Sequence, residues 1–336
     1  MKPRRTLWVA LAVFLGACSN NSGETILNDY EARLSRTLNL SFPPIELPEA
    51  PRKPRAEALQ LKLKNSDIGT LDFLALTGCE LQITIGKRNS SLGKFAAPSQ
   101  RLLLDLEFLR HAPACISHLK SSGDQHDLVS LLEQSQVLKQ QQLAQLIHNA
   151  TLAGPEWHQF WKPQKIPNGY PNDTTSDQVL QALDAITWMT KNWLRGDYTA
   201  DNQRFEAHLN TLRSGDGGVI LTALQLSQQF FTRWNTTIGK HNPEQACLSM
   251  NQKTILETVI AKYFAGGVQQ WLAPVISRAD SIQQASNNLE TLLGKASPPE
   301  YDRWQQQRND YIQTMKSLTI DHVHRLKRVD EPCQTQ

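Results

Sequence analysis

No stretch beyond the first eighteen residues reaches the roughly 18 consecutive apolar residues that a membrane helix needs, so a polytopic membrane protein is excluded. There is no strong basic excess either, with Lys plus Arg at 35 and Asp plus Glu at 32, and no basic stripe that would mark a nucleic-acid binder. Glycine and proline number 17 each in 336 residues, too few for a collagen-like or low-complexity chain. Five cysteines are too sparse for a small disulfide-stapled scaffold, and none of their spacings is the CxxC of a metal site. Strand-like alternation is nearly absent. What remains is an ordinary globular composition, 40% hydrophobic, long enough to bury one large core or two modest ones.

The address is written at the start. Lys2, Arg4 and Arg5 precede a nine-residue apolar run, Leu7 to Leu15, which is too short to span a bilayer and has the layout of a secretory signal. Leu15, Gly16, Ala17 and Cys18 follow, and this LGAC resembles a bacterial lipobox, cut before a cysteine that is then lipidated. The resemblance implies a signal peptide over 1–17, lipidation of Cys18, a short tether over 18–24, and a membrane partnership made through the lipid alone. Ser19 stands where inner-membrane lipoproteins tend to carry Asp, so the outer membrane is favoured. Cleavage removes three basic residues and no acidic one, leaving 32 of each sign and a neutral mature chain. A neutral chain has no net charge with which to steer an anionic partner from long range.

Cys79, Cys115, Cys247 and Cys333 remain, an even number in an oxidising compartment, which reads as two disulfides. Three pairings are open. The favoured one joins Cys79 to Cys115, which flank one compact segment, and Cys247 to Cys333, which would clip the tail.

The body reads as helices. Ile26, Tyr30, Leu34 and Leu38 recur at four-residue spacing in a first amphipathic helix. Pro43, Pro44, Pro48, Pro51 and Pro54 then forbid regular structure over 43–55 and favour an extended strap, with Phe42, Ile45 and Leu47 to pack it down. Leu59, Leu61 and Leu63 alternate with polar residues, as a brief strand or a helix start would. Pro98 opens a helix buried through Leu102, Leu103, Leu106 and Leu109. From Leu128 to Ile147 the leucines fall on one half of a single long helix, whose other half is Gln-rich and solvated. Trp157, Phe160 and Trp161 mark an aromatic loop between Pro155 and Tyr170. Val179, Leu183, Ile186, Met189 and Trp193 make the next stripe, and further helices are expected near 201–213, 217–238, 251–265, 268–293 and 300–328. The fold class is therefore mainly α, a bundle-like single domain over 25–333 with a proline-rich strap and little or no β, ending in a short 334–336 tail. No Gly/Ser-rich linker divides it.

Chemical motifs are few. The densest polar stretch holds Arg88, Asn89, Ser90, Ser91 and Lys94, with Arg101 just after. A P-loop needs four residues between its glycines and Ser or Thr after its Lys; here six separate Gly86 from Gly93, and Phe95 follows Lys94. Ser91 and Lys94 give the S-x-x-K spacing of a serine nucleophile and its base, yet Ser117 and Lys120 match as well, and no K-T-G completes the set. The plainer reading is a turn of Asn, Ser and Gly, with Arg88 or Arg101 bonding carbonyls at a neighbouring helix end; a cleft for a ligand or partner is the other. His322 and His324 point apart on a helix, and His158 lies in the aromatic loop, which is more readily a packed cover than a glycan site. Gly196, Asp197, Tyr198, Ala200, Phe205 and Leu209 resemble half of a tetratricopeptide repeat, but nothing recurs at 34 residues. No catalytic pair, metal set, cofactor motif or nucleic-acid signature emerges.

One resemblance spans most of the chain. LDFLAL at Leu71 to Leu76, Cys79, RNSSLG at Arg88 to Gly93, PSQRL at Pro98 to Leu102, and Glu107, Phe108 and Leu109 follow in the order of an uncharacterised gammaproteobacterial lipoprotein family, the domain of unknown function 3080. The resemblance would run from about Ile26 to Cys333. It implies no activity, substrate or catalytic residue, but it favours a role for Arg88, Asn89, Ser90, Ser91 and Arg101. The expectation is a periplasmic lipoprotein on the outer membrane that acts by binding an envelope protein or glycan. The alternative is a hydrolase or binding protein working on peptidoglycan or another envelope polymer through the 88–101 cluster.

Overall fold

The computed structural model describes residues 22–46, 49–64, 73–74, 76–123, 125–171, 176–240 and 248–330. Signal segment, Cys18, Leu47, Leu71, Cys247 and Cys333 lie outside them, as does the expected Cys247–Cys333 bridge.

The described residues are helical, with no strand among them. Ser22 caps α1 (Gly23–Leu38) by accepting from the Thr25 amide, and Leu27, Tyr30 and Leu34 bury its inner face. The strap follows without regular structure, pressed onto the body by Phe42, Ala50 and Lys53, and leads into the short α2 (Ala56–Leu59). Then come α3 (Glu80–Asn89), α4 (Ser91–Lys94) and the long α5 (Pro98–Ser122), with proline in its first turn as expected. The leucine-rich stretch forms two helices, α6 (His126–Gln141) and α7 (Leu143–Ala150), because the chain turns at Gln142 and the buried faces of the two differ. The aromatic segment contains α8 (Pro155–Phe160), followed by α9 (Ser176–Leu194), α10 (Asn202–Arg213) and α11 (Gly217–Lys240).

From Met250 the chain stays helical to Leu293, as α12 (Met250–Val259), a π-helical stretch (Ile260–Gln269) and α13 (Gln270–Leu293). The break expected near residue 266 is thus a change of winding, not an end. Gly266 and Gly267 permit it, and Pro274 lacks the amide that regular winding would require. The 32-residue α14 (Pro299–Asp330) lies along α11 and closes the domain.

Two apolar clusters fill this single domain. The larger joins α1, the strap and α7 through α14. The smaller gathers Leu76, Leu81, Ile85, Phe108, Cys115 and Leu132. Helix α5 belongs to both: Leu102, Leu106 and Leu109 face the large cluster, while Phe108, Ala112, Cys115, Ile116 and Leu119 face the small one. A disulfide joins Cys79, the N-cap of α3, to Cys115 in α5, with 5.4 Å between their Cα atoms. It pins α3 to the part of α5 that carries the small cluster. The cleft described next lies where the clusters meet.

Candidate functional site: a basic cleft

The turn around Ser90 is built from the backbone outward. Ser90 ends α3 and begins α4, and its Oγ donates to the Lys87 carbonyl at 2.7 Å and accepts from the Gly93 amide at 3.1 Å. A Cβ at Gly93 would run into the Lys87 carbonyl oxygen, so only glycine fits. Arg101 Nη2 donates to the Lys94 carbonyl at 2.9 Å and holds α4 against the start of α5. The turn therefore displays Leu92 and Phe95 at 88% and 89% exposure. Asn89, Ser91 and Lys94 point into solvent, and no hydrogen bond joins Ser91 to Lys94 among the described residues. The S-x-x-K spacing is a surface coincidence.

Arg88 behaves otherwise. It reaches across to α5 and, with Lys139 of α6, bonds the same Oδ1 of Asp105. Asp105 is 2% exposed and Lys139 6%. Two cations thus share one buried carboxylate oxygen. Burial lowers the Lys139 pKa, the Asp105 charge opposes that, and the Arg88 charge adds to the lowering. Lys139 also lies 5.0 Å from the centre of the Phe108 ring, a cation–π contact. Beside this trio Lys87 pairs with Glu107 at 2.9 Å on the surface.

Above Asp105 opens a cleft of about 570 Å³. One wall is the extended segment Gln60–Lys64, where the alternation of leucine and lysine gives neither helix nor strand. Side-chain amides take the place of a neighbouring strand there: the Leu61 amide donates to Asn149 Oδ1 at 2.8 Å, Asn149 Nδ2 donates to the Leu61 carbonyl at 2.8 Å, and the Lys64 amide donates to Gln142 Oε1 at 3.1 Å. Leu61 and Leu63 are half-buried, and Lys62 and Lys64 are exposed. Ala96 and Pro98 bring the first turn of α5 to the rim, and Ala97 gives that helix no side-chain cap. Among the described residues, the cleft is lined by Lys62, Lys64, Arg88, Arg101 and Lys139 against the single carboxylate of Asp105. Five cations and an uncapped helix N-terminus face one acid. That arrangement suits an anion and supplies no nucleophile paired with a base.

Of the residues singled out in sequence, Arg88 and Arg101 line the cleft, Ser90 and Arg101 build the turn, and Asn89, Ser91 and Lys94 lie outside it. Sequence reasoning passed over Asp105, Lys139, Lys62 and Lys64. A signal existed for two of them: Asp105 lies three residues after Leu102 and Lys139 seven after Leu132, so both carry charge on a buried helical stripe. The aromatic segment is no open surface, since Trp157, Phe160 and Trp161 are at most 1% exposed. Trp157 Nε1 donates to Tyr301 Oη at 3.0 Å, and Arg308 lies 4.8 Å over the Trp161 ring. Among the described residues no three His, Cys, Asp or Glu side chains gather into a metal-binding group, and no helix is long and apolar enough to cross a membrane.

Fold and site define a single-domain, all-helical protein with a basic cleft at the junction of two apolar clusters. Residues 27–334 match the family described as Protein of unknown function (DUF3080), and the chain belongs to that family. No curated protein and no solved structure matches it.

Proposed function

We propose that this chain is a lipid-anchored lipoprotein on the periplasmic face of the outer membrane, and that it acts by binding, as an interaction or assembly factor of the envelope. The leader through Cys18 supports the location. One observation carries the choice of binding over hydrolysis: Ser90 and Arg101 are spent on building the rim, and the described lining of the cleft behind it is cationic, with no nucleophile, acid and base in register. A hydrolase of envelope polymers would need at least one catalytic pair within hydrogen-bond reach inside the cleft. Asp105 is the sole carboxylate among the described residues that line it, and it is neutralised by Arg88 and Lys139.

Fractionation tests the anchor. Cys18→Ser is expected to abolish lipidation and to leave the leader uncleaved, so the precursor stays with the inner membrane; the same mature size in the outer-membrane fraction would refute the anchor. Crosslinking in intact envelopes tests the binding role: a protein or glycan adduct enriched over an unrelated lipoprotein is expected, and no enrichment would refute it.

A further inference from the structure

We infer that the cleft is a phosphate-binding site, with Lys62, Lys64, Arg88, Arg101 and Lys139 as its ligands' counter-charges. The inference rests on the binding reading above and names the chemistry of what binds.

Charge is the first argument. Arg88 and Lys139 together bring two positive charges to one carboxylate oxygen at the cleft floor, so that group keeps an excess of one. Lys62, Lys64 and Arg101 add three more and form no ion pair among the described residues. The surplus charge beside buried Asp105 and Lys139 is held partly out of water at a cost that an anionic ligand would offset, and the exposed Lys62, Lys64 and Arg101 would draw that ligand in. A phosphate monoester brings between one and two negative charges and three acceptor oxygens, where a carboxylate brings one charge and two oxygens.

Geometry is the second. Arg88 is one-third exposed on its side chain, so part of its guanidinium fork stays open to the cleft after it has bonded Asp105. Lys62 and Lys64 alternate along an extended backbone, which spaces them roughly 7 Å apart on one side. The uncapped first turn of α5 adds amide donors at the rim, a supplement to the side chains and not the site by itself. Among the described residues no aromatic ring lines the cleft, so stacking on a bare sugar is not what it offers; its volume of about 570 Å³ accommodates a phosphorylated group of one or two sugar or glycerol units.

A free phosphate compound and a lipid headgroup present the same chemistry, and titration distinguishes them. The full chain, purified in a non-ionic detergent, is titrated calorimetrically with inorganic pyrophosphate, with glycerol 1-phosphate as the headgroup probe, and with acetate. Saturable binding of a phosphate probe is expected, at least tenfold tighter than acetate and weakening as salt is raised. Tighter pyrophosphate points to a free phosphate compound, and tighter glycerol 1-phosphate to a headgroup. The double variant Lys62→Glu, Lys64→Glu changes only exposed side chains, and it should weaken binding at least tenfold with its unfolding midpoint unchanged. Arg88→Gln should weaken it as well. Binding that ignores both variants, acetate bound as well as phosphate, or no saturable binding of either phosphate probe overturns the inference. None of these results bears on membrane location or envelope crosslinking, so the two readings fail separately.

Discussion

Lys139 donates to Asp105 Oδ1 across 2.5 Å, from a helix 34 positions further along the chain, and neither residue is as much as one-tenth exposed. This pair ties α6 to α5 between the two apolar clusters and forms the floor of the cleft. Asp105→Asn removes the charge and leaves Lys139 and Arg88 facing each other. It should destabilise the chain by about 3–5 kcal/mol in urea unfolding, the usual cost of breaking a buried pair from one side. Adding Lys139→Met should recover a good part of that loss, because the stranded ammonium is gone.

The disulfide carries the second prediction. It closes a loop with a sequence separation of 36, which on chain-entropy grounds is worth about 4 kcal/mol. Cys79→Ala with Cys115→Ala should lower stability by roughly that amount. Hydrogen exchange should speed up first in α3 and in the end of α5 that holds Cys115, where the small cluster lies.

Acid should destabilise the fold through two buried imidazoles. His322 takes a hydrogen bond from Tyr30 Oη on Nε2 at 2.9 Å and donates from Nδ1 to Asn235 Oδ1 at 2.8 Å, an arrangement that needs the neutral ring. Asn235 is oriented by its own Nδ2 donating to the Leu318 carbonyl. Burial, the largest cause, takes His322 down to about 3 and His148 down to about 4. Folded-state pKa values below the ordinary 6.5 mean that the unfolded chain binds protons the folded chain refuses. Stability is therefore held above about pH 6.5 and lost as pH falls toward 4 and 3. His322→Gln should flatten that slope in a series of unfolding curves, whatever it does to stability at neutral pH.

Lys53 of the strap acts in the same direction at higher pH. Its Nζ is buried without a hydrogen-bond partner among the described residues and lies 5.7 Å from the Tyr301 ring centre and 6.0 Å from that of Trp304. Burial pulls its pKa down to about 7, against the pull of Glu290. The unfolded lysine holds its proton up to its ordinary pKa, so this group's contribution to stability rises from pH 7 toward pH 10. Lys53→Met should raise stability at pH 7 by roughly 3 kcal/mol and remove that rise.

Much of this fold was legible because helices announce themselves by period. The apolar residues of α1, α5 and α9 recur as an amphipathic helix requires, and Pro98 marks a start where the chain has one. Other features were set by tertiary context. The turn at Gln142 interrupts a leucine pattern that continues through it, and its side chain serves the Lys64 amide instead. The π stretch at 260–269 keeps one continuous helix where the apolar pattern suggests two, over 251–265 and 268–293. At the site, Ser90, Gly93 and Arg101 were legible as turn-makers because a capping serine and an obligatory glycine leave local signatures. The meeting of Arg88, Asp105 and Lys139 was not, because it joins three helices through charges that look solvated in a linear reading. A lysine among glutamines reads as surface until the leucines seven and eleven residues before it are counted.

The chain is proposed to work by binding through the cleft behind the 88–101 rim. A photoreactive side chain placed at exposed Gln60, at the cleft, and another at exposed Ile320, toward the other end of α14 from Tyr301, compare the two surfaces in living envelopes. Binding at the cleft predicts a discrete adduct from position 60 that is absent from position 320 and lost when Lys62 and Lys64 are reversed to glutamate. Equal adducts from both positions, or none from position 60, would contradict it.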